Sequence, residues 1–204
     1  MPVSTGLNDR SIATPSVTPI VAPVVQIAQQ IKSLWCWAAV ISSITQSKPV
    51  PPSPYTSQCL LACQTYGGAF AQADCCQSGT ASNICNNSLS VAVIAGSYSP
   101  GAPSPLSIAG IAADPPSRAD STVIDDTIVD ALRQNRPTCI VITWPGGQLH
   151  FVAIVGSATM NGQLTYAIGD PYDASLNWLD RASIADYHSH AGSGGTWGDT
   201  YVTI

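Results

Sequence analysis

The chain has 204 residues, enough for one domain with a sizeable core, and its apolar fraction of 45% is that of a folded globular protein. Only 9% of the residues are charged, and the net charge of −5 comes without any Lys/Arg cluster, which argues against a nucleic-acid binder and against docking on anionic membranes. No apolar run reaches the roughly 18–20 residues of a membrane span.

The N-terminus lacks the basic start and continuous apolar stretch of a secretory signal, so export requires a signal already removed or another route. Residues 1–22 are rich in Ser, Thr and Pro without periodicity and read as a disordered leader, with a single domain expected over 23–204. From Trp35 to about Gln46 apolar and small residues surround the helix axis, which places this helix at the centre of the fold. Pro49 to Pro54 ends it, because successive prolines remove backbone donors. A short helix is expected over 55–65.

Five of the seven cysteines (Cys59, Cys63, Cys75, Cys76 and Cys85) then crowd into 27 residues. Zinc would favour Cys-x2-Cys pairs and nearby histidines, neither of which is present, so no metal and no cofactor is expected. Disulfides are the better reading and imply an oxidising destination. Two bridges and one thiol form the simplest arrangement, three would recruit Cys139, and the connectivity stays open. A third helix is expected over 86–96, capped by Asn86 or Asn87. Residues 97–120, with five prolines, form a long connection. Thr122-x-x-Asp125 resembles a capping box and opens an amphipathic helix to about Gln134.

Beyond this point the pattern changes to strands. They are expected over Thr138–Trp144, His150–Val155, Leu164–Ile168, Leu176–Leu179 and Trp197–Ile204, the last closing the sheet, with Asn161-Gly162 as the strongest hairpin signal and Gly169-Asp170-Pro171 as a break. Helices first and antiparallel strands second is an α+β plan. The helical lobe is expected over about 23–100 and the sheet lobe over about 120–204. No internal repeat is visible.

Cys36 sits where a loop turns into the apolar helix, with Gln30 six positions before it. A helix N-terminus presents unpaired N–H groups and partial positive charge, which favour a thiolate, and a glutamine amide can donate to an oxyanion forming beside the sulfur. A cysteine nucleophile also needs a base, and the base needs a third group to orient it. His150 heads an apolar strand after a glycine turn, so its ring can lie at the sheet rim. Asp170 ends the strand expected to pair with it through the Asn161-Gly162 hairpin, which makes the two neighbours across the ladder. Asp173 is the alternative orienting residue. His188 and His190 lie in a polar segment and read as solvated. Trp37 reads as packing between helix and sheet. Trp197 and the Gly192–Gly195 loop read either as a shield over the His150–Asp170 bond or as core and turn.

With Gln30, Cys36, His150 and Asp170 in this order, the sequence resembles the papain-like cysteine peptidases. The match lies in Gln-x5-Cys-Trp-Ala from Gln30, Gly-x2-His-Phe-Val-x-Ile-x-Gly from Gly147, and a strand ending in Asp170-Pro171. It is most similar to a bacterial exported or effector branch, the avirulence-type proteases injected into plant cells, and more distantly to the bacteriocin-leader peptidases. The Cys75-Cys76 pair followed by Cys85-Asn86 is a recurrent feature of that branch. The resemblance spans residues 25–204. It departs from the plant enzymes at Ser33-Leu34-Trp35-Cys36-Trp37, where the upstream cysteine and glycine are missing. It also offers aspartate where papain has asparagine, and its Cys36-to-His150 interval of 114 residues is shorter.

The resemblance implies a papain-like fold, with Cys36 on the central helix of a helical N-terminal lobe and an antiparallel-sheet C-terminal lobe. It further implies a monomeric, secreted or translocated endopeptidase acting on a protein or peptide, with Cys36, His150 and Asp170 catalytic and Gln30 in the oxyanion hole. An immunity or inhibitor protein and an activating factor are further partners it would admit. Two rivals stay open: deamidation, transamidation or peptide transfer on the same residues, and a disulfide-stapled binding module in which Cys36 is inert.

Overall fold

The computed structural model describes residues 19–21, 25–47, 57–65, 85–86, 117–118, 122–189 and 192–203. In chain order these form β1 (Ile20–Val21), α1 (Cys36–Ser47), α2 (Gln58–Thr65), β2 (Ser117–Arg118) and α3 (Thr122–Arg133). Then follow β3 (Thr138–Thr143), β4 (Leu149–Met160), β5 (Gln163–Asp170), β6 (Ser175–Asp180), α4 (Arg181–Ala185), β7 (Tyr187–Ser189) and β8 (Gly192–Val202). The fold is α+β. The strands pair antiparallel in the order β2-β8-β3-β4-β5-β6, with β1 added beside β4 and β7 beside β8.

Two apolar clusters occupy the two faces of this sheet. Along β3, Cys139 and Val141 join α1 and α2 in one cluster, while Ile140 and Ile142 join α3 in the other. Along β4 the same alternation sends Phe151, Ala153 and Val155 to α1, and Val152 and Ile154 to α3. That is why β3 and the first half of β4 read as continuous apolar runs: both faces are covered, so neither needs polar side chains. In α1, every residue from Cys36 to Thr45 is buried, and each fully buried aliphatic such as Ile41 or Ile44 contributes about 1.5–3 kcal/mol. The α3 helix buries Ile124, Ile128, Ala131 and Leu132, a single stripe at helical spacing.

Several expectations are corrected at their edges. Ile20 and Val21, expected within the leader, pair with Ser157 and Gly156 of β4. Strand β5 runs through Gly169 and Asp170 instead of breaking there. β8 lies inside the sheet between β2 and β3, and it begins at Gly192 rather than Trp197. The Asp125 carboxylate accepts hydrogen bonds from the Tyr166 hydroxyl (2.6 Å) and from Arg181, tying α3 to β5 and α4. Asn161 and Gly162 do form the β4–β5 turn, both with positive φ (52° and 79°), as a two-residue hairpin of this hand requires. The helix expected over 86–96 and most of the 97–120 connection lie outside the described residues. Among the described residues no helix is long and apolar enough to cross a membrane.

Candidate active site

Cys36 is the first residue of α1. The Trp35 carbonyl accepts the Ala39 N–H (2.9 Å), so Trp35 occupies the cap position and the Cys36 N–H falls in the first turn, where no carbonyl of the helix can reach it. The approach to this position is steered by β5. A Cβ on Gly169 would stand 2.4 Å from Ile27 Cγ1, so only glycine lets the segment from Val25 to Gln30 cross the end of the sheet this closely. The crossing ends where the Gln30 N–H donates to the Pro171 carbonyl (2.7 Å), one residue beyond Asp170.

His150 is the second residue of β4, paired with Ile142 and 4% exposed. Its Nε2 lies 2.8 Å from Asp170 Oδ1, and Asp170 is 1% exposed. The two meet because of a bulge. From Met160 back to Gly156 the β4–β5 register pairs each residue in turn, ending with Gly156 opposite Ala167, but Ile154 rather than Val155 faces Ile168. Val155 is the extra residue. Without it, Asp170 would fall opposite Ala153 and point to the α1 side; with it, Asp170 shares the face of Val152 and His150, diagonally within reach.

Cys36 lies beside the ring, close enough for its side chain to act on the imidazole. Because Nε2 is held by Asp170, the nitrogen available to the sulfur is Nδ1. Burial pulls the His150 pKa down, but the hydrogen bond to Asp170, the neighbouring Cys36 side chain and the charges of both win, and it is pushed up to about 9. Burial likewise acts to raise the Asp170 carboxyl. The bond from His150, the Tyr172 N–H on Oδ1 (2.9 Å) and the Tyr187 hydroxyl on Oδ2 (3.0 Å) together hold it below the usual carboxylate range. Burial and the neighbouring Asp170 charge raise the Tyr187 phenol, so Tyr187 remains a donor to the carboxylate.

Two residues at this site were not singled out from the sequence. Trp144 stacks on the His150 ring (centroids 6.0 Å apart, planes at 25°) and also contacts Tyr187. Its seat is cut by Gly195, where a Cβ would stand 2.6 Å from Trp144 Cζ3. The aromatic beside the His150–Asp170 bond is therefore Trp144. Trp197 instead meets Tyr166 edge-on and carries Arg181 over its ring. The signal for Trp144 was its place just before the Pro145-Gly146-Gly147 turn that returns the chain to His150; nothing in the spacing pointed to Tyr187.

The remaining candidates divide clearly. The Gln30 Nε2 donates to the carbonyls of Lys32 (3.1 Å) and Ser33 (2.8 Å), so both its hydrogens are turned onto its own loop, and Oε1 is buried with no hydrogen-bond partner among the described residues. Asp173 accepts the Ser175 N–H (2.9 Å) as a turn residue and leaves the histidine to Asp170. His188 is exposed beside the Asp186 carbonyl, and His190 lies outside the described residues. Trp37 is buried in α1. Cys59 and Cys85 are disulfide-bonded, Cys63 is buried, and Cys75 and Cys76 lie outside the described residues. Cys139 is a fully buried thiol whose pKa burial pushes up to about 12. Among the described residues no cluster of His, Cys, Asp and Glu could hold a metal ion.

The arrangement can accept a proton from a thiol, hold it on an imidazole stabilised by a buried carboxylate, and return it to a departing group. No family model and no curated protein matches this chain.

Proposed function

We propose that this protein is a papain-like cysteine endopeptidase in which Cys36 is the nucleophile, His150 the general acid and base, and Asp170 the residue that orients and charges the imidazole. The observation that carries this reading is the buried His150–Asp170 bond of 2.8 Å with Cys36 beside the same imidazole. The three are assembled from a helix N-terminus and two strand ends, and the His150–Asp170 bond is closed to water. A structural histidine would need the carboxylate alone, not a thiol beside the ring as well.

His150 takes the thiol proton, and the sulfur attacks the carbonyl carbon of a peptide bond. The tetrahedral oxyanion receives the Cys36 N–H, and Gln30 exchanges its longer bond, to Lys32, for the same oxygen. His150 then protonates the leaving amine, leaving a thioester. Water, deprotonated by His150, releases the new carboxylate and regenerates the thiol. The sparse charge and the clustered cysteines fit an exported or injected protein, and the substrate class is a protein or peptide.

A peptide library incubated with wild type and with Cys36→Ala, read by mass spectrometry, tests the reading. New termini that depend on Cys36 support it. Cysteine-dependent deamidation or joined peptides without new termini would replace hydrolysis by another acyl transfer. No change in any peptide would leave a disulfide-stapled binding module as the better account.

A further inference from the structure

Residues 25–35 are in neither helix nor strand, so backbone groups of the turn before Cys36 such as the Ile31 and Leu34 N–H have no ladder or helix to bond to. Two side-chain amides from outside this turn take that role. Gln58, buried in the first turn of α2, accepts the Ile31 N–H (3.0 Å) and donates to the Gln29 carbonyl (2.8 Å). Asn86 accepts the Leu34 N–H (2.9 Å) and donates to Ser33 Oγ (2.9 Å). Next to it, the carbonyl of Cys85 accepts the indole N–H of Trp35, which is wholly buried. An amide has a donor and an acceptor at fixed separation, so each of these side chains grips the turn at two points and resists both translation and rotation.

We propose that Gln58 and Asn86 are positioning residues for the oxyanion site. They fix the turn whose carbonyls hold the Gln30 amide and whose end sets the direction of the Cys36 N–H. The Cys36–His150–Asp170 series is built on other contacts and does not depend on them. This inference rests on the peptidase reading above, and it separates two properties that reading combines. Loosening the turn weakens stabilisation of the tetrahedral oxyanion and leaves the reactivity of the sulfur as it is.

The test uses the full chain carrying Asn86→Leu or Gln58→Met, each close in size to the residue it replaces. Iodoacetamide alkylation of Cys36 needs the thiol and His150 but forms no oxyanion. A peptide aldehyde, built on a sequence the wild type cleaves, adds to the sulfur and forms one. Alkylation across pH should stay close to wild type, while aldehyde affinity and kcat fall about tenfold to a hundredfold with KM little changed. Asn86→Asp should restore most of the loss, because a carboxylate accepts the Leu34 N–H and the Ser33 hydroxyl can donate to it. Unchanged aldehyde affinity in Asn86→Leu overturns the proposal. Parallel loss of alkylation and aldehyde binding also overturns it, since that marks general disruption. Wild type that alkylates at Cys36 but cleaves no peptide removes the peptidase reading, and this proposal with it; wild type that cleaves the peptide but forms no aldehyde adduct overturns this proposal alone.

Discussion

Replacing Asp170 by asparagine isolates the charge that the buried site places beside His150. The substitution keeps the side-chain shape and an acceptor for the Tyr172 N–H, and deletes the negative charge. His150 stands at about 9 against an ordinary 6.5, a lift that corresponds to about 3 kcal/mol of preference for the protonated ring. Asp170 and Cys36 share that lift. With Asp170 neutral, burial is opposed by Cys36 alone, and the His150 pKa should drop toward or below 6.5. The sign of the stability effect follows. A folded pKa above the unfolded value stabilises fully below pH 6.5, and that stabilisation is lost as pH rises through 9. The stability gap between wild type and Asp170→Asn should therefore be widest just below pH 6.5 and narrow as pH approaches 9. Urea denaturation at stepped pH measures the gap, and the NMR titration of the His150 ring measures its pKa directly. A gap that does not change across this window, or a ring that titrates at the same pH in both proteins, would refute the electrostatic account of the site.

Two further substitutions test its surroundings. Tyr187→Phe removes one donor from the Asp170 carboxylate, a charge-assisted bond worth roughly 1.5–3 kcal/mol. Since a depressed carboxyl stabilises above its unfolded pKa and loses that as pH falls through the folded one, the acid unfolding midpoint should move to higher pH; an unmoved midpoint would show that Tyr187 does not support the charge. Gly195→Ala sets a Cβ 2.4 Å from Ile142 Cγ2 and against Trp144. It should cost about 1–3 kcal/mol by overpacking and change the tryptophan fluorescence, both readable in one denaturation series; an unchanged midpoint would mean that the seat of Trp144 gives way freely.

Much of the architecture could be read from local pattern. The all-round apolar face of α1, the runs of β3 and β4, and Asn161-Gly162 each carry their own periodicity or turn chemistry, and the structure forms each of them. The order of Cys36, His150 and Asp170 along the chain also pointed to one end of the sheet, because hairpin-linked strands bring their open ends together. Elements of two or three residues, such as β1 and β7, carry too little pattern to be found, and they exist because a longer strand offers them an edge.

What the chain's own pattern could not decide was parity and approach. Whether Asp170 faces His150 or the opposite side of the sheet turns on a single unpaired residue, Val155, since one step of register reverses every side chain beyond it. How the segment carrying Gln30 approaches Cys36 depends on Gly169 leaving room for Ile27, and which tryptophan covers the histidine depends on Gly195 leaving room for Trp144. Hydrophobic period determines which residues are buried, because burial is a property of each position in turn. The meeting of a thiol, an imidazole and a carboxylate is set by how separate elements stack, and that was decided only when the tertiary structure fixed their offsets.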